Sequence, residues 1–169
     1  MLEQTVETDR LVLRPLKVSD ANEMVAVLAD ESLYEFERGS PPSVESLRTR
    51  YEHQVGGSDD PGETWWNWII CSARTGQAMG FVQADVVGET ADLGWLVGAE
   101  YQRRGLATEA VRAVIDWLTK NDVRRLEAHI HRAHAASQTV AQRVGLSDTG
   151  VVDDDGELVW AADARLSLG

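Results

Sequence analysis

The residues best placed to do chemistry are Gln102-Arg103-Arg104-Gly105-Leu106-Ala107. An alternating apolar segment, Leu93, Trp95 and Val97, precedes them and reads as a strand, and a run of helix-forming residues follows. A basic, glycine-containing turn between a strand's end and a helix's start suits a polyphosphate. The first amides of a helix have no internal acceptor, and the helix dipole puts partial positive charge there. Gly105 lets the backbone approach a ligand closely, while Arg103 and Arg104 add charge and donors. The turn lacks the Gly-Lys-Ser/Thr ending of a P-loop and no GxGxxG run follows an early strand, which argues against a nucleoside triphosphate or a dinucleotide. Taken alone, the turn also fits an ordinary strand–helix connection with two solvated arginines.

The elements around this turn follow from periodicity and punctuation. Leu11 to Leu16 reads as a strand, and Ser19 or Asp20 can cap a helix running to Leu28. Asp30 to Pro42 is too irregular for a long helix. Ser43 caps a second helix carrying Leu47, Tyr51 and Val55, and Gly56 to Gly62 reads as an exposed, mobile loop. Trp65 to Cys71, Met79 to Val87 and Thr90 to Val97 are successive strands. A helix from Leu106 to Thr119 puts Ala107, Ala110, Val111, Val114 and Leu118 on one stripe. Leu126, Ala128 and Ile130 alternate as a further strand, a helix runs to Val144 with Gly145 at C′, and Glu157 to Leu166 can close the sheet. Trp65, Trp66 and Trp68 alternate across a strand, so one or two belong to the core. With Tyr34 or Phe36, those facing a cleft could form an aromatic wall. The order is mixed α/β without repeat or linker, and residues 1–169 are expected to form one domain.

Composition narrows the function. The 169 residues are enough to bury about two-thirds of the unfolded surface. A net charge of −12 argues against nucleic acid and mildly favours cationic substrates. No apolar run approaches the ~18 residues of a membrane span, and the acidic N-terminus is no signal peptide, so a cytoplasmic protein without a membrane partner is expected. The single cysteine, Cys71, excludes an internal disulfide and a cysteine-based zinc site. His129, His131 and His134 are close in sequence, but their spacing does not converge them on a metal, and none is expected.

Three stretches carry a resemblance. Asp92-Leu93-Gly94-Trp95-Leu96-Val97 followed by Gln102-x-x-Gly105-x-Ala107 resembles the acetyl-CoA signature of the GNAT N-acetyltransferase superfamily. Thr8-Asp9-Arg10-Leu11-Val12-Leu13-Arg14-Pro15 resembles the opening of its ribosomal-protein alanine acetyltransferase branch, and Ser137 to Leu146 is similar to that branch's helix after the fifth strand. The resemblance implies a single-domain α/β fold with a mixed, mostly antiparallel central sheet, splayed after the fourth strand, and helices on both faces. It implies acetyl-CoA as cosubstrate, its pantetheine arm on backbone groups of Leu96 and Val97, and its pyrophosphate on the turn Gln102, Arg103, Arg104, Gly105, Leu106, Ala107 and Thr108.

The implied reaction is direct attack of a primary amine, on a protein N-terminus or a small molecule, on the thioester in a ternary complex. An ammonium of pKa ~10 must lose a proton and the departing thiolate gains one. By resemblance to the branch, Asp92 is the candidate base and Ser137 the candidate acid. Glu35 and Glu37 are candidate substrate contacts or exposed charges. The chain departs from the family twice: no tyrosine follows Tyr101, with Ala141 near the usual position, and His134 stands where asparagine is usual. His134 is therefore a candidate cofactor contact that could titrate near neutral pH, the alternative being a solvent-facing residue at the helix start. The departures leave a non-catalytic acyl-CoA-binding module as the competing reading, and a monomer and a homodimer are both compatible with the sequence.

Overall fold

The computed structural model describes residues 4–164. Its strands are β1 (Val6–Glu7), β2 (Leu11–Pro15), β3 (Glu63–Ser72), β4 (Ala78–Val87), β5 (Thr90–Val97), β6 (Arg125–Ile130), β7 (Ser147–Val152) and β8 (Leu158–Asp163). They form one sheet in the order β1-β2-β3-β4-β5-β6-β8-β7. Only β5 and β6 run parallel; the other neighbours are antiparallel. The α-helices are α1 (Ala21–Val27), α2 (Val44–Gly56), α3 (Leu106–Lys120) and α4 (Ala135–Arg143). No helix among the described residues is long and apolar enough to cross a membrane.

Strand alternation divides the core in two. Leu11, Leu13, Trp68, Ile70, Val82, Ala84, Ala91, Leu93, Leu126 and Ala128 pack with α3 and α4 on one face. Ile69, Cys71 and Ala78 pack with α1 and α2 on the other. On α3, Ala110, Val111, Val114 and Leu118 are fully buried, each valine or leucine contributing about 1.5–3 kcal/mol of transfer free energy. Trp66 and Trp68 meet Trp117 edge-on at 4.9 and 5.3 Å, whereas Trp65 turns to the opposite face against His53.

Local chemistry sets the ends. Ser43 caps α2 by accepting from the Ser46 amide, but Val55 is 53% exposed, because a spacing of four residues drifts off a narrow helical stripe. Gly145 ends α4 with φ +99, and the Gly145 and Leu146 amides reach back to Gln142 and Ala141, a Schellman closure. β7 was not expected: all six of its residues are exposed, so no apolar alternation marks it, and among the described residues only β8 pairs with it. β8 lies within the span expected to close the sheet, of which Arg165 and Leu166 are outside the described residues.

The feature that matters for function is where β5 and β6 part. Their pairing runs from Thr90 with Arg125 to Leu93 with Ala128 and stops, although β5 continues to Val97 and β6 to Ile130. With β1, which was not expected, left out of the count, β5 is the fourth strand, and this is the splay expected after it. The Gly98 amide bonds the Met79 carbonyl, so by antiparallel alternation Leu96 and Gly94 direct their backbone groups to β4. Trp95 and Val97 direct theirs into the gap.

Candidate active site

The basic turn lies where β5 hands over to α3. Gly105 is the residue before α3, with φ +74, and Arg103 has φ +65. Two left-handed residues this close together curl the chain so that successive amides face outward, an arrangement that suits anions. The Glu109 amide makes the helix's first backbone bond, to the Gly105 carbonyl at 3.1 Å. The amides of Leu106, Ala107 and Thr108 therefore open at the positive end of the helix. A Cβ on Gly105 would meet the Arg10 guanidinium at an ordinary 3.6 Å. Glycine is thus demanded by the backbone conformation and not by crowding within the chain. Thr108 is buried.

A clamp that sequence reasoning missed fixes this turn. Thr8 Oγ1 donates to Glu109 Oε2 at 2.6 Å, Arg10 Nε donates to Glu109 Oε1 at 2.7 Å, and Arg10 Nη1 donates to the Arg104 carbonyl at 2.9 Å. The Thr8-x-Arg10 opening was the available signal. From the strand side, Gln102 Nε2 donates to the Val97 carbonyl at 3.0 Å. Gln102 is therefore a brace between strand and turn. The expected backbone role of Leu96 is corrected: its amide and carbonyl serve β4, and Trp95 takes its place beside Val97 at the gap. Together, a gap lined by β5 backbone and an amide-rich turn at its far end fit an extended thioester ending in a pyrophosphate.

On the α1/α2 face the gap opens into a cleft of about 320 Å³ whose walls include Asp92, Leu96, His134 and Ser137, from β5 and the start of α4. Sequence reasoning proposed all four. Glu37, Asp85 and Glu157 line it as well. Asp92 keeps 51% of its side-chain surface exposed, but the cleft walls strip much of its hydration. That desolvation, reinforced by Asp85, Glu127 and Glu157 against the opposing pull of His129, raises it to about 6. Burial, together with a neighbouring carboxylate in each case, also pushes Glu37, Asp85 and Glu157 up. Four carboxylates, Glu37, Asp85, Asp92 and Glu157, line the cleft against two arginines, Arg38 and Arg50. Arg38, on its rim, is drawn off to Asp155 at 3.0 Å.

At the start of α4 it is His134, not Ser137, that caps the helix. Its Nδ1 accepts from the Ser137 amide at 3.4 Å, and its Nε2 lies 3.0 Å from Ser137 Oγ. An accepting Nδ1 puts the neutral ring's proton on Nε2, which then donates to Ser137 Oγ and leaves the hydroxyl proton to point elsewhere. Burial, with His131 nearby, lowers the His134 pKa against the opposing effect of Glu35, and Phe36 packs on the ring at 5.0 Å. The three histidines diverge: His131 accepts from the Ala133 amide, His129 turns to Asp153, and His134 caps α4. Ala141, near the family's tyrosine position, is fully buried.

In shape the chain is similar to an acetyltransferase of the GNAT family from Bacillus anthracis (TM-score 0.82, 16% identity, 95% of this chain and 99% of that one). It is also similar to an aminoglycoside acetyltransferase in complex with coenzyme A (TM-score 0.77, 18% identity, 94% and 96%). A third such structure is spermidine N-acetyltransferase from Vibrio cholerae with CoA and spermine (TM-score 0.77, 15% identity, 96% and 100%). At these identities the likeness carries the fold. No curated protein matches the chain in sequence. The family model of the acetyltransferase (GNAT) domain matches residues 10–147, from the clamp arginine to the first residue of β7, and the chain belongs to this family, whose acyl donor is acetyl-CoA.

Proposed function

We propose that this protein transfers the acetyl group of acetyl-CoA to a primary amine by direct attack in a ternary complex. The observation that carries the proposal is that one cleft, opening from the β5–β6 gap, is lined by a carboxylate raised to about 6 and by a histidine-oriented serine. Trp95 and Val97 hold the pantetheine arm by their backbone, and the amides from Arg103 to Thr108 hold the pyrophosphate. Asp92 takes the proton from the substrate ammonium. Its raised pKa narrows the gap to an amine at ~10 from about six units for an ordinary carboxylate to about four. The amine nitrogen bonds to the carbonyl carbon, the carbon–sulfur bond breaks, Ser137 passes its hydroxyl proton to the thiolate, and the second proton shed by the nitrogen restores the serine hydroxyl. His134 keeps the hydroxyl proton aimed outward by donating to Ser137 Oγ.

The carboxylates Glu37, Asp85 and Glu157 favour an amine carrying further positive charge over a neutral one. We assign a small polycationic amine as the substrate class. It shares its chemistry with the aminoglycoside and spermidine named for two structural neighbours. A protein N-terminus is the other occupant, suggested by the resemblance of the opening stretch.

Thiol release from acetyl-CoA, followed over a panel of monoamines, linear polyamines, aminoglycosides and short peptides, tests the assignment. Turnover with polycations well above that with monoamines of equal length is expected. Turnover on peptides alone would move the substrate to a protein N-terminus. Tight CoA binding with no thiol release on any amine would make the protein an acyl-CoA-binding module.

A further inference from the structure

We propose that His129, held by Asp153, is a positioning residue for Asp92, and that the three form a path carrying the substrate's proton from the cleft floor to the surface. The proposal rests on the reading of Asp92 as the base. His129 Nδ1 lies 2.7 Å from Asp153 Oδ2, and its Nε2 lies 3.8 Å from Asp92 Oδ2. Asp92 is on β5, His129 on β6 and Asp153 in the turn between β7 and β8. Strand alternation brings them together. Leu126, Ala128 and Ile130 enter the core, which turns His129 onto the face that carries Asp92.

Asp153 is well suited to orient the ring. Its other oxygen accepts from the Asp155 and Glu157 amides, both at 2.9 Å, so the carboxylate is fixed. These bonds and the bond to His129 hold it below the usual carboxylate range, and it stays ionised. An ionised Asp153 claims the Nδ1 proton, which leaves the lone pair of Nε2 facing Asp92. The 3.8 Å separation exceeds a hydrogen bond, and Asp92, half exposed on the cleft floor, closes it by a side-chain rotation. The step balances simply: the proton that Asp92 takes from the ammonium moves to Nε2, giving an imidazolium paired with Asp153, and leaves to solvent as Asp92 returns to its anionic form.

The surroundings explain why such a partner is useful. Asp92 faces Asp85 from β4, Glu127 from β6 and Glu157 from the turn before β8, and all three favour its protonated form. His129 is the largest influence on Asp92 that favours the anion. Asp92 and Asp153 in turn favour the imidazolium, with Glu127 in support, and they raise His129 although burial opposes it. The competing reading is that the His129–Asp153 bond only staples β6 to the β7–β8 turn.

The variant that separates the two is His129→Asn, whose side-chain amide can still donate to Asp153 but cannot accept and release a proton. With the best amine of the panel, kcat is expected to fall roughly tenfold or more near neutral pH, while the CoA Kd and the amine KM stay within about twofold. The acid limb of its kcat profile is expected at higher pH, because Asp92 has lost its cation. Imidazole added to His129→Ala is expected to restore turnover. A readout independent of activity is the ring NMR of the four histidines. His129 is expected to be protonated on Nδ1 when neutral, and to titrate at lower pH in Asp92→Asn and in Asp153→Asn. An active parent with a His129→Asn variant whose kcat profile overlays it would overturn the relay and leave the acetyltransferase reading intact. An inactive parent would overturn that reading, and an Nε2-protonated neutral His129 would overturn the relay on its own.

Discussion

Arg10 and Glu109, 99 residues apart, hold one another across the back of the turn before α3: Arg10 Nε reaches Glu109 Oε1 at 2.7 Å while Nη1 of the same guanidinium holds the Arg104 carbonyl at 2.9 Å. A fork of this kind fixes two points at once, the first helical turn and the loop before it. Arg10→Ala should therefore loosen the turn without touching the cleft. The pair is partly exposed, at 50% and 22% of the side-chain surface, so the loss is moderate, roughly three- to tenfold in acetyl-CoA Kd. Calorimetry should show that loss with an unchanged KM for the amine. An unaltered CoA Kd would mean that the turn holds its shape without the clamp.

Arg103 adopts φ +65, which costs a side-chain-bearing residue roughly 1–2 kcal/mol. Such strain persists where it serves a site, and here it helps turn the amides outward. Arg103→Gly relieves it. The expected result is a Tm raised by about 2–4 °C together with weaker CoA binding, because a cation beside the pyrophosphate is lost. Gly105→Val works in the opposite sense: φ +74 becomes strained, so both stability and CoA binding should fall. A stabilised Arg103→Gly protein with undiminished CoA affinity would remove this arginine from the cofactor site.

Asp92 carries a stability cost. Its folded pKa, about 6, lies above the ordinary ~3.9 of an unfolded aspartate, so folding favours the protonated form. The stabilisation from that protonation is complete below the unfolded value and is lost as pH rises through about 6. At neutral pH the anion opposes folding. Asp92→Asn should accordingly raise Tm above about pH 6 while lowering kcat, with turnover recovering as pH approaches the substrate amine's pKa of ~10. A thermal scan and a pH–rate profile on the same variant check both halves. Lower stability at neutral pH would show that the carboxylate is not desolvated as its place in the cleft implies.

His134 behaves differently from a histidine read by type alone. Its ordinary pKa of ~6.5 would place a transition between about pH 5.5 and 7.5, but burial lowers it, and the ring stays neutral through the neutral range. Stability and activity should hold as pH falls to the ordinary value and decline below it as the ring charges and gives up the Ser137 amide. His134→Asn can still cap α4 and donate to Ser137 Oγ, so it should keep activity and remove the part of the acid decline that belongs to the ring, leaving the limb set by Asp92. Ser137→Ala should instead lower kcat at every pH with CoA affinity nearly intact. If neither Asp92→Asn nor Ser137→Ala costs even about threefold in kcat, the chemistry lies elsewhere.

What the sequence disclosed and what it hid follow from the range of the interactions. The α3 stripe, the β6 alternation, Ser43 and Gly145 are local signals, and each appears in place. Asp92, Leu96, His134 and Ser137 share one cleft because a resemblance supplied a topology that no local pattern contains. The errors were matters of direction and pairing. Whether Leu96 or Trp95 faces the gap depends on which neighbour β4 claims, and that is set by register. β7 has no buried face to give it a period. The Arg10–Glu109 and His129–Asp153 contacts join residues far apart in the chain, and nothing about a lone arginine or histidine names its partner.

The last expectation concerns charge in the cleft. Glu37, Asp85 and Glu157 surround the approach to Asp92, and burial raises each of them, as it would raise acids with no bound cation. A substrate ammonium supplies that cation and should pull their pKa values down on binding, together with that of Asp92 at about 6, so binding a polycation at pH near 6 should release protons from Asp92. The same coupling makes KM salt-dependent, since part of the attraction acts through solvent. Asp85→Asn should raise KM for a polyamine about two- to fivefold and leave a monoamine nearly unchanged, each partly exposed charge being worth about 0.5–1 kcal/mol. Adding Glu37→Gln should compound the loss, and KM in the double variant should respond little to salt. Calorimetry in buffers of different ionisation enthalpy would measure the proton release directly. Equal KM values for monoamine and polyamine at low salt would show that the carboxylates repel one another for some reason other than holding a polycation.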